Sequence, residues 1–369
     1  ENSIHFKNFT LTDSIGDKAI IDGDIKTSNF QDISFGLNLN AENFNIINST
    51  KSDNQLFYGK LNLDASINVT GNLETPIINA KFKANKNTDL VFIMPSTDPE
   101  LQSRDGVVNF IDVRHLNDTV KQISLKDSLA KFASFKGVNF SSMIETDTGA
   151  IFTMVIDSRA GDALTIKGKS SLTAGLDESG KLSLTGLYEV QRGSYQVSFN
   201  LLKKKFELVK GSTITWTGDP LSAILNISAL YETKSSPIDL MEAELGGLTS
   251  TDVNKYKQRI PVQVYLKMKE ELMKPKISFD IIIPEPEASK WQLVDDKLKQ
   301  IRTDESQMNK QVFAILILGR FVGEDITQNS TGTTTTGTMV RQSVGGILSD
   351  QLTKAASGII KGVDLSIGF

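Results

Sequence analysis

From residue 1 to about residue 283, apolar and polar residues take turns in short bursts. Leu61 and Leu63 alternate with Lys60, Asn62 and Asp64, and Ala80, Phe82 and Ala84 alternate with Lys81 and Lys83. Leu182, Leu184, Tyr188 and Val190 continue the theme, then Tyr195, Val197 and Phe199. Ala223, Leu225, Ile227 and Ala229 form one face of a strand; Val262, Val264, Leu266 and Met268 form another; Ile277, Phe279, Ile281 and Ile283 a third. A period of two sends successive side chains to opposite faces, so these bursts predict strands with one apolar and one wet face. The breaks between them hold Gly, Asn, Asp or Pro, which favour turns. Strands are expected to begin at or just after Pro76, Pro220 and Pro275, because proline has no N–H to give a ladder. The spacing of these prolines is too uneven for a β-helix with a fixed rung.

Beyond Pro284-Glu285-Pro286 the period changes. Trp291, Val294, Leu298 and Ile301 stand at helical spacing, and Asp304 with Gln307 forms a capping-box pattern opening a second helix that ends near Gly319. Residues 327–338 are a Ser/Thr-rich loop, and a third amphipathic stripe runs from Val340 to Ile359. Val363, Leu365, Ile367 and Phe369 alternate again. The expected organisation is a sheet region over 1–283, an amphipathic helical segment over 284–361 and a returning strand over 362–369.

Composition narrows the chemistry. Hydrophobic residues make up 39% of the 369, which suits a sheet with one wet face better than a multilayer globule. The net charge is −4 without a basic patch, so nucleic acid is not an expected partner. No cysteine is present, which excludes disulfides, thiolate metal sites and thiol catalysis. His5 and His115 are far apart and lack companion ligands, so no metal or cofactor is expected. Ala163 to Ser170 is a near miss to a phosphate-binding loop, but its first glycine is alanine and no helix pattern follows. Asp157 and Asp162 flank a turn and read as turn formers rather than as a catalytic pair. The longest greasy run, Val312–Leu318, falls far short of the ~18 apolar residues a membrane span requires; it reads as a helix buried on both sides. The chain starts and stops in mid-alternation and is read as a piece of a larger protein whose export signal and anchor lie outside it.

One stretch carries a resemblance. Gly161-Asp162-Ala163-Leu164, Gly168, Leu184-x-Gly186-x-Tyr188, Gly193-x-Tyr195, Phe206-Glu207, Gly211-Ser212 and Trp216-x-Gly218-Asp219-Pro220 follow one another in that order, ending at Tyr231. This resembles the C-terminal domain of the TamB family of envelope proteins, and the Asn- and Lys-rich composition resembles a Bacteroidota member. The resemblance implies a mostly-β fold, an elongated sheet curled into a U-shaped trough with an apolar interior (a β-taco), and no enzyme activity. It further implies an inner-membrane anchor outside this chain, a periplasmic course between both membranes, and an Omp85-type outer-membrane barrel (TamA-like or BamA-like) as partner.

Two functions follow from the resemblance. One is a conduit for phospholipid. Moving a two-chain lipid through water exposes ~30 methylenes, on the order of 25 kcal/mol, which an apolar trough removes without any catalytic residue. Some 16–20 strands at ~4.8 Å spacing make a trough of ~75–95 Å. The groove candidates are Tyr188, Val190, Tyr195, Val197, Leu225, Ile227, Val264, Leu266, Phe279 and Ile281, with facing assumed from alternation, which a bulge would flip. Gly186, Gly193, Gly211, Trp216, Gly218, Asp219 and Pro220 are the structural motif residues. The other function is assembly of outer-membrane barrel proteins, with Val363, Leu365, Ile367 and Phe369 adding a strand to the partner's edge. A secreted adhesin is a third reading, disfavoured by the helical segment.

Overall fold

The structure is a computed structural model that describes residues 2–28, 32–54, 56–93, 137–158, 161–199, 202–246, 249–272 and 275–323. His115, the loop at 327–338, the stripe from Val340 to Ile359 and the returning strand at 362–369 lie outside the described residues.

The protein is mostly β, and fifteen strands pair into one mixed sheet. The main path runs β1 (Asn2–Thr12), β2 (Lys18–Ser28), β3 (Asp32–Ser49), β4 (Phe57–Asn72), β5 (Pro76–Ala84), β7 (Asn139–Thr146), β9 (Asp162–Leu176), β10 (Leu182–Phe199), β11 (Leu202–Leu208), β13 (Ile224–Ser235), β14 (Ile260–Glu271) and β15 (Lys276–Ile282). Beside it, β6 (Asp89–Ile93) pairs with β4 and β8 (Ile151–Asp157), β8 also pairs with β9, and β12 (Thr213–Gly218) pairs with β10 and β13. The chain divides into two compact units, residues 1–189 with 215–220, and residues 190–214 with 221–369.

The first unit is built mostly from long antiparallel strands, several of them joined by tight turns. Asp13 closes the β1–β2 turn, its Oδ1 accepting N–H groups of Ile15, Gly16 and Asp17 at 2.8–2.9 Å. Asp177 does the same between β9 and β10 for Ser179 and Lys181, both at 3.0 Å. Hydrogen bonds from the Ser179 hydroxyl and these N–H groups hold the Asp177 carboxyl below its ordinary range. That turn's stabilisation is therefore complete above about pH 4 and fades as pH falls through the lowered value. β5 pairs in parallel with β7 and β6 in parallel with β8, and the breaks between β5 and β6 and between β7 and β8 lie side by side.

Two devices bend these strands. A bulge interrupts β1 between Phe6 and Phe9, and another interrupts β3 between Ala41 and Phe44. Each has an asparagine in the left-handed region, Asn8 and Asn43, both at φ 51°. Each asparagine gives its N–H to an aspartate of the next strand, Asp22 (2.7 Å) and Asp64 (2.9 Å). The second device is glycine. A Cβ at Gly23 would lie 2.0 Å from the Gly36 carbonyl oxygen, and one at Gly59 2.1 Å from that of Asp89. Bulges and glycine kinks are what gives a sheet curvature.

The second unit carries all the helices among the described residues: α1 (Glu242–Leu245), α2 (Ser250–Tyr256), α3 (Glu287–Lys290), α4 (Gln292–Ile301) and α5 (Glu305–Leu318). The last two match the sequence reading. Asp304 caps α5 by accepting the Gln307 N–H at 3.1 Å, and Gly319 ends it at φ 70°. Asp304→Ala is expected to cost about 1 kcal/mol of stability, measured by urea denaturation. α1 and α2 interrupt the region expected to be sheet throughout. They are too short to show a helical period, and α2 is held by tertiary contact: Tyr256 packs edge-on to Trp291 at 5.8 Å, with Lys255 over the same ring. β13 begins at Ile224 rather than at Pro220. Trp216 Nε1–H donates to the Pro220 carbonyl at 3.1 Å, holding that segment as a turn. β5 and β15 do begin at Pro76 and just after Pro275.

Candidate functional site

Register places apolar residues side by side across seven strands of the first unit. One row runs Leu37, Val69, Ile78, Phe140 and Leu176. The next runs Phe9, Ile21, Leu39, Ile67 and Ala80, and the next Leu11, Ala19, Ala41, Ala65, Phe82, Ile144 and Leu172. Directly paired residues share a face. The reverse face is wet: Asp22, Asn38, Asn68, Asn79 and Ser141 form a single row there, and Asn68 donates to Asn38 at 2.9 Å. Seven strands at ~4.8 Å spacing make this apolar face about 30 Å wide.

The bulges keep that face continuous. Ile4 and Phe6 are even-numbered and Phe9 and Leu11 odd-numbered, yet the extra residue in β1 puts all four on one side. The same shift in β3 keeps Phe44 on the side of Ala41.

The face is not a closed core. Its fully buried members are mostly alanines, Ala19, Ala41, Ala65 and Ala84, overhung by larger neighbours such as Leu39, Phe44 and Phe82. Leu37, Leu39, Ile67, Val69, Ile78, Phe82 and Phe140 stay half-buried, and Ile4, Phe9 and Leu11 are exposed. Among the described residues of this unit no helix lies on the face. Apolar area of this extent, uncovered by the described residues, is a candidate binding surface.

The second unit presents the opposite case. Leu225, Ile227, Val264, Leu266 and Ile281 are at most 4% exposed, as is Val197. Tyr195 is buried opposite Phe206. α5 packs on β15, with the Phe313 ring 5.6 Å from that of half-buried Phe279. α5 is itself buried on both sides, with Val312, Phe313, Ala314, Ile315 and Leu316 at most 3% exposed. Arg302, at the end of α4, clips the helices to β15 through Asp280 (2.7 Å) and the Ile281 carbonyl (3.2 Å). Nine of the ten residues named from alternation thus belong to this helix-bearing unit. Val190 is also fully buried, and Tyr188 is the one that lies in the first unit. The parity of buried positions changes between Val190 and Tyr195 within β10.

The motif glycines hold strands close or close turns. A Cβ on Gly186, at φ 124°, would lie 2.2 Å from the Ser171 carbonyl oxygen; Gly211 stands in a turn at φ 86°. Gly186→Ala is expected to cost about 2–3 kcal/mol, read from a denaturant midpoint. Gly193 lies within β10, Gly218 ends β12, and Asp219 and Pro220 form the turn beyond it.

Among the described residues no catalytic constellation is assembled. His5 binds Asp24 and Ser3, and no group of metal-ligand side chains occurs among the described residues. The segment resembling a phosphate loop lies in β9, and Asp157 pairs with Asp162 at the end of the β8–β9 hairpin. Val363, Leu365, Ile367 and Phe369 lie outside the described residues. Among those described, no helix is long and apolar enough to cross a membrane.

The open face of the first unit was missed as a site by sequence reasoning. The available signal was the run of aliphatic and aromatic residues at Ile21, Phe35, Leu37, Leu39, Ile67 and Val69, each alternating with Asn, Asp, Ser or Gly. No curated protein and no solved structure gives a significant match to the chain. A family model for the TamB C-terminal domain matches residues 7–369, so the chain belongs to the TamB family, which serves transport and assembly in the cell envelope without known catalysis.

Proposed function

We propose that the apolar face of the first unit carries the acyl chains of phospholipid, and that the chain is one stretch of a conduit between the inner and outer membranes. The observation that carries this reading is the set of half-buried to exposed apolar rows from Leu37 to Phe140 and from Phe9 to Ala80, backed by an Asn- and Asp-rich wet face. An acyl chain laid along these rows exchanges water for hydrocarbon at ~0.8 kcal/mol per methylene, with no covalent step. In this reading the helix-covered face of the second unit is structural support. The conduit is anchored in the inner membrane by a segment outside this chain and delivers to an Omp85-type barrel in the outer membrane.

The test is native mass spectrometry of the purified chain with extraction of bound lipid. Phospholipid is expected to accompany the protein in stoichiometric amounts. Protein that is lipid-free when isolated, and that takes up none from phospholipid vesicles, would refute the reading.

A further inference from the structure

Tyr188 is 5% exposed, and its hydroxyl has no hydrogen-bond partner among the described residues. The ring lies over Gly168, where a Cβ would come within 2.8 Å of Tyr188 Cε1, and it meets Phe152 edge-on at 6.3 Å. Register puts Phe152 beside Ile166 and Met154 beside Leu164, and Gly168 follows Ile166 by two residues on the same face. Leu172 and Leu176 of that strand belong to the open apolar rows. The phenol therefore sits on the apolar face of the first unit.

Neighbouring hydroxyls are used. Thr146 donates to the Gly168 carbonyl at 3.0 Å and Ser170 to the Ile144 carbonyl at 3.2 Å. An unmatched buried hydroxyl is costly, whereas a phenylalanine would fill the same space without that cost. We propose that the Tyr188 hydroxyl is a polar station on the apolar face, donating a hydrogen bond to the ester carbonyl of an acyl lipid lying there.

The chemistry of the surroundings selects that acceptor. A charged headgroup would be desolvated among Phe152, Ile166 and Leu164, at a large cost. An ester carbonyl is uncharged, has hydrocarbon beside it and accepts a single hydrogen bond. Burial pushes the phenol's pKa up, so the group stays protonated and remains a donor at all physiological pH values.

This inference rests on the lipid-carrying reading, and one experiment separates the two. The full chain is equilibrated with an equal mixture of two phosphatidylglycerols of matched chain length, one ester-linked and one ether-linked, and bound lipid is counted by native mass spectrometry. The wild type is expected to favour the ester-linked lipid about fivefold, the worth of one neutral hydrogen bond. Tyr188→Phe should bring the ratio near one while leaving the lipid-free protein at least as stable as wild type. An ester preference unchanged in Tyr188→Phe, or no preference in the wild type, overturns the station but leaves the lipid-carrying reading standing. A clear loss of stability in lipid-free Tyr188→Phe also overturns it, because the hydroxyl would then have a structural partner. If the wild type binds neither lipid, the lipid-carrying reading itself falls.

Discussion

Leu39→Lys combined with Ile67→Glu is expected to abolish lipid retention in a chain that stays folded. The two residues face each other across β3 and β4 in the middle of the open rows, and both are half-buried. As a cross-strand pair of opposite charge they preserve strand pairing. Lost burial should cost about 2 kcal/mol or less, because neither side chain is enclosed to begin with. For an acyl chain the change is far larger, since two charges would have to be desolvated beneath it. Retained phospholipid should fall at least about tenfold, with the circular dichroism spectrum unchanged. The matching change on the wet face, Asn38→Lys with Asn68→Glu, should leave lipid content at the wild-type level. Equal losses from both faces would mean that the loss reflects general damage and not a blocked surface.

Ile227→Asp should instead unfold the second unit. Ile227 is fully buried opposite Met268, on a sheet whose outer strand β15 carries α5. A carboxylate there has no partner of opposite charge in its row, so the cost should exceed about 4 kcal/mol. The expected result is loss of the cooperative urea transition of that unit and rapid proteolysis between β13 and α5. Leu225→Arg with Ile227→Asp would do the same, so lost lipid in that variant reports unfolding. A folded, protease-resistant Ile227→Asp chain would show that this face is more accessible than its burial indicates.

These two expectations mark where sequence reading succeeded and where it stopped. Period-two alternation identified strands such as β4, β5, β10, β13, β14 and β15, and the capping residues Asp304, Gln307 and Gly319 placed α5 to within a residue. Alternation also picks out which side chains leave water on a strand, as with Leu225, Ile227, Val264 and Leu266. It carries no information on what covers them. In the second unit α5 lies on β15, a contact that alternation does not announce, so strands that look alike on paper differ in what lies over them. Facing was also hidden where bulges intervene. Phe6 and Phe9 share a side only because Asn8 takes a left-handed conformation pinned by Asp22. The Asn-Phe pairs at 8–9 and 43–44 carry that signal, but its meaning depends on an aspartate of the neighbouring strand. α1 and α2 were hidden for a different reason: segments of four and seven residues show no helical period and owe their shape to packing, as at Trp291.

Site-specific photo-crosslinking tests the central claim most directly. A benzophenone amino acid is placed at Leu39 on the apolar face, or at Asn38 on the wet face one residue away, and the chain is irradiated in intact cells. The account predicts a phospholipid-sized mass adduct on the Leu39 variant and none on the Asn38 variant. Adducts of equal yield at both positions, or a protein adduct alone at Leu39, would contradict it.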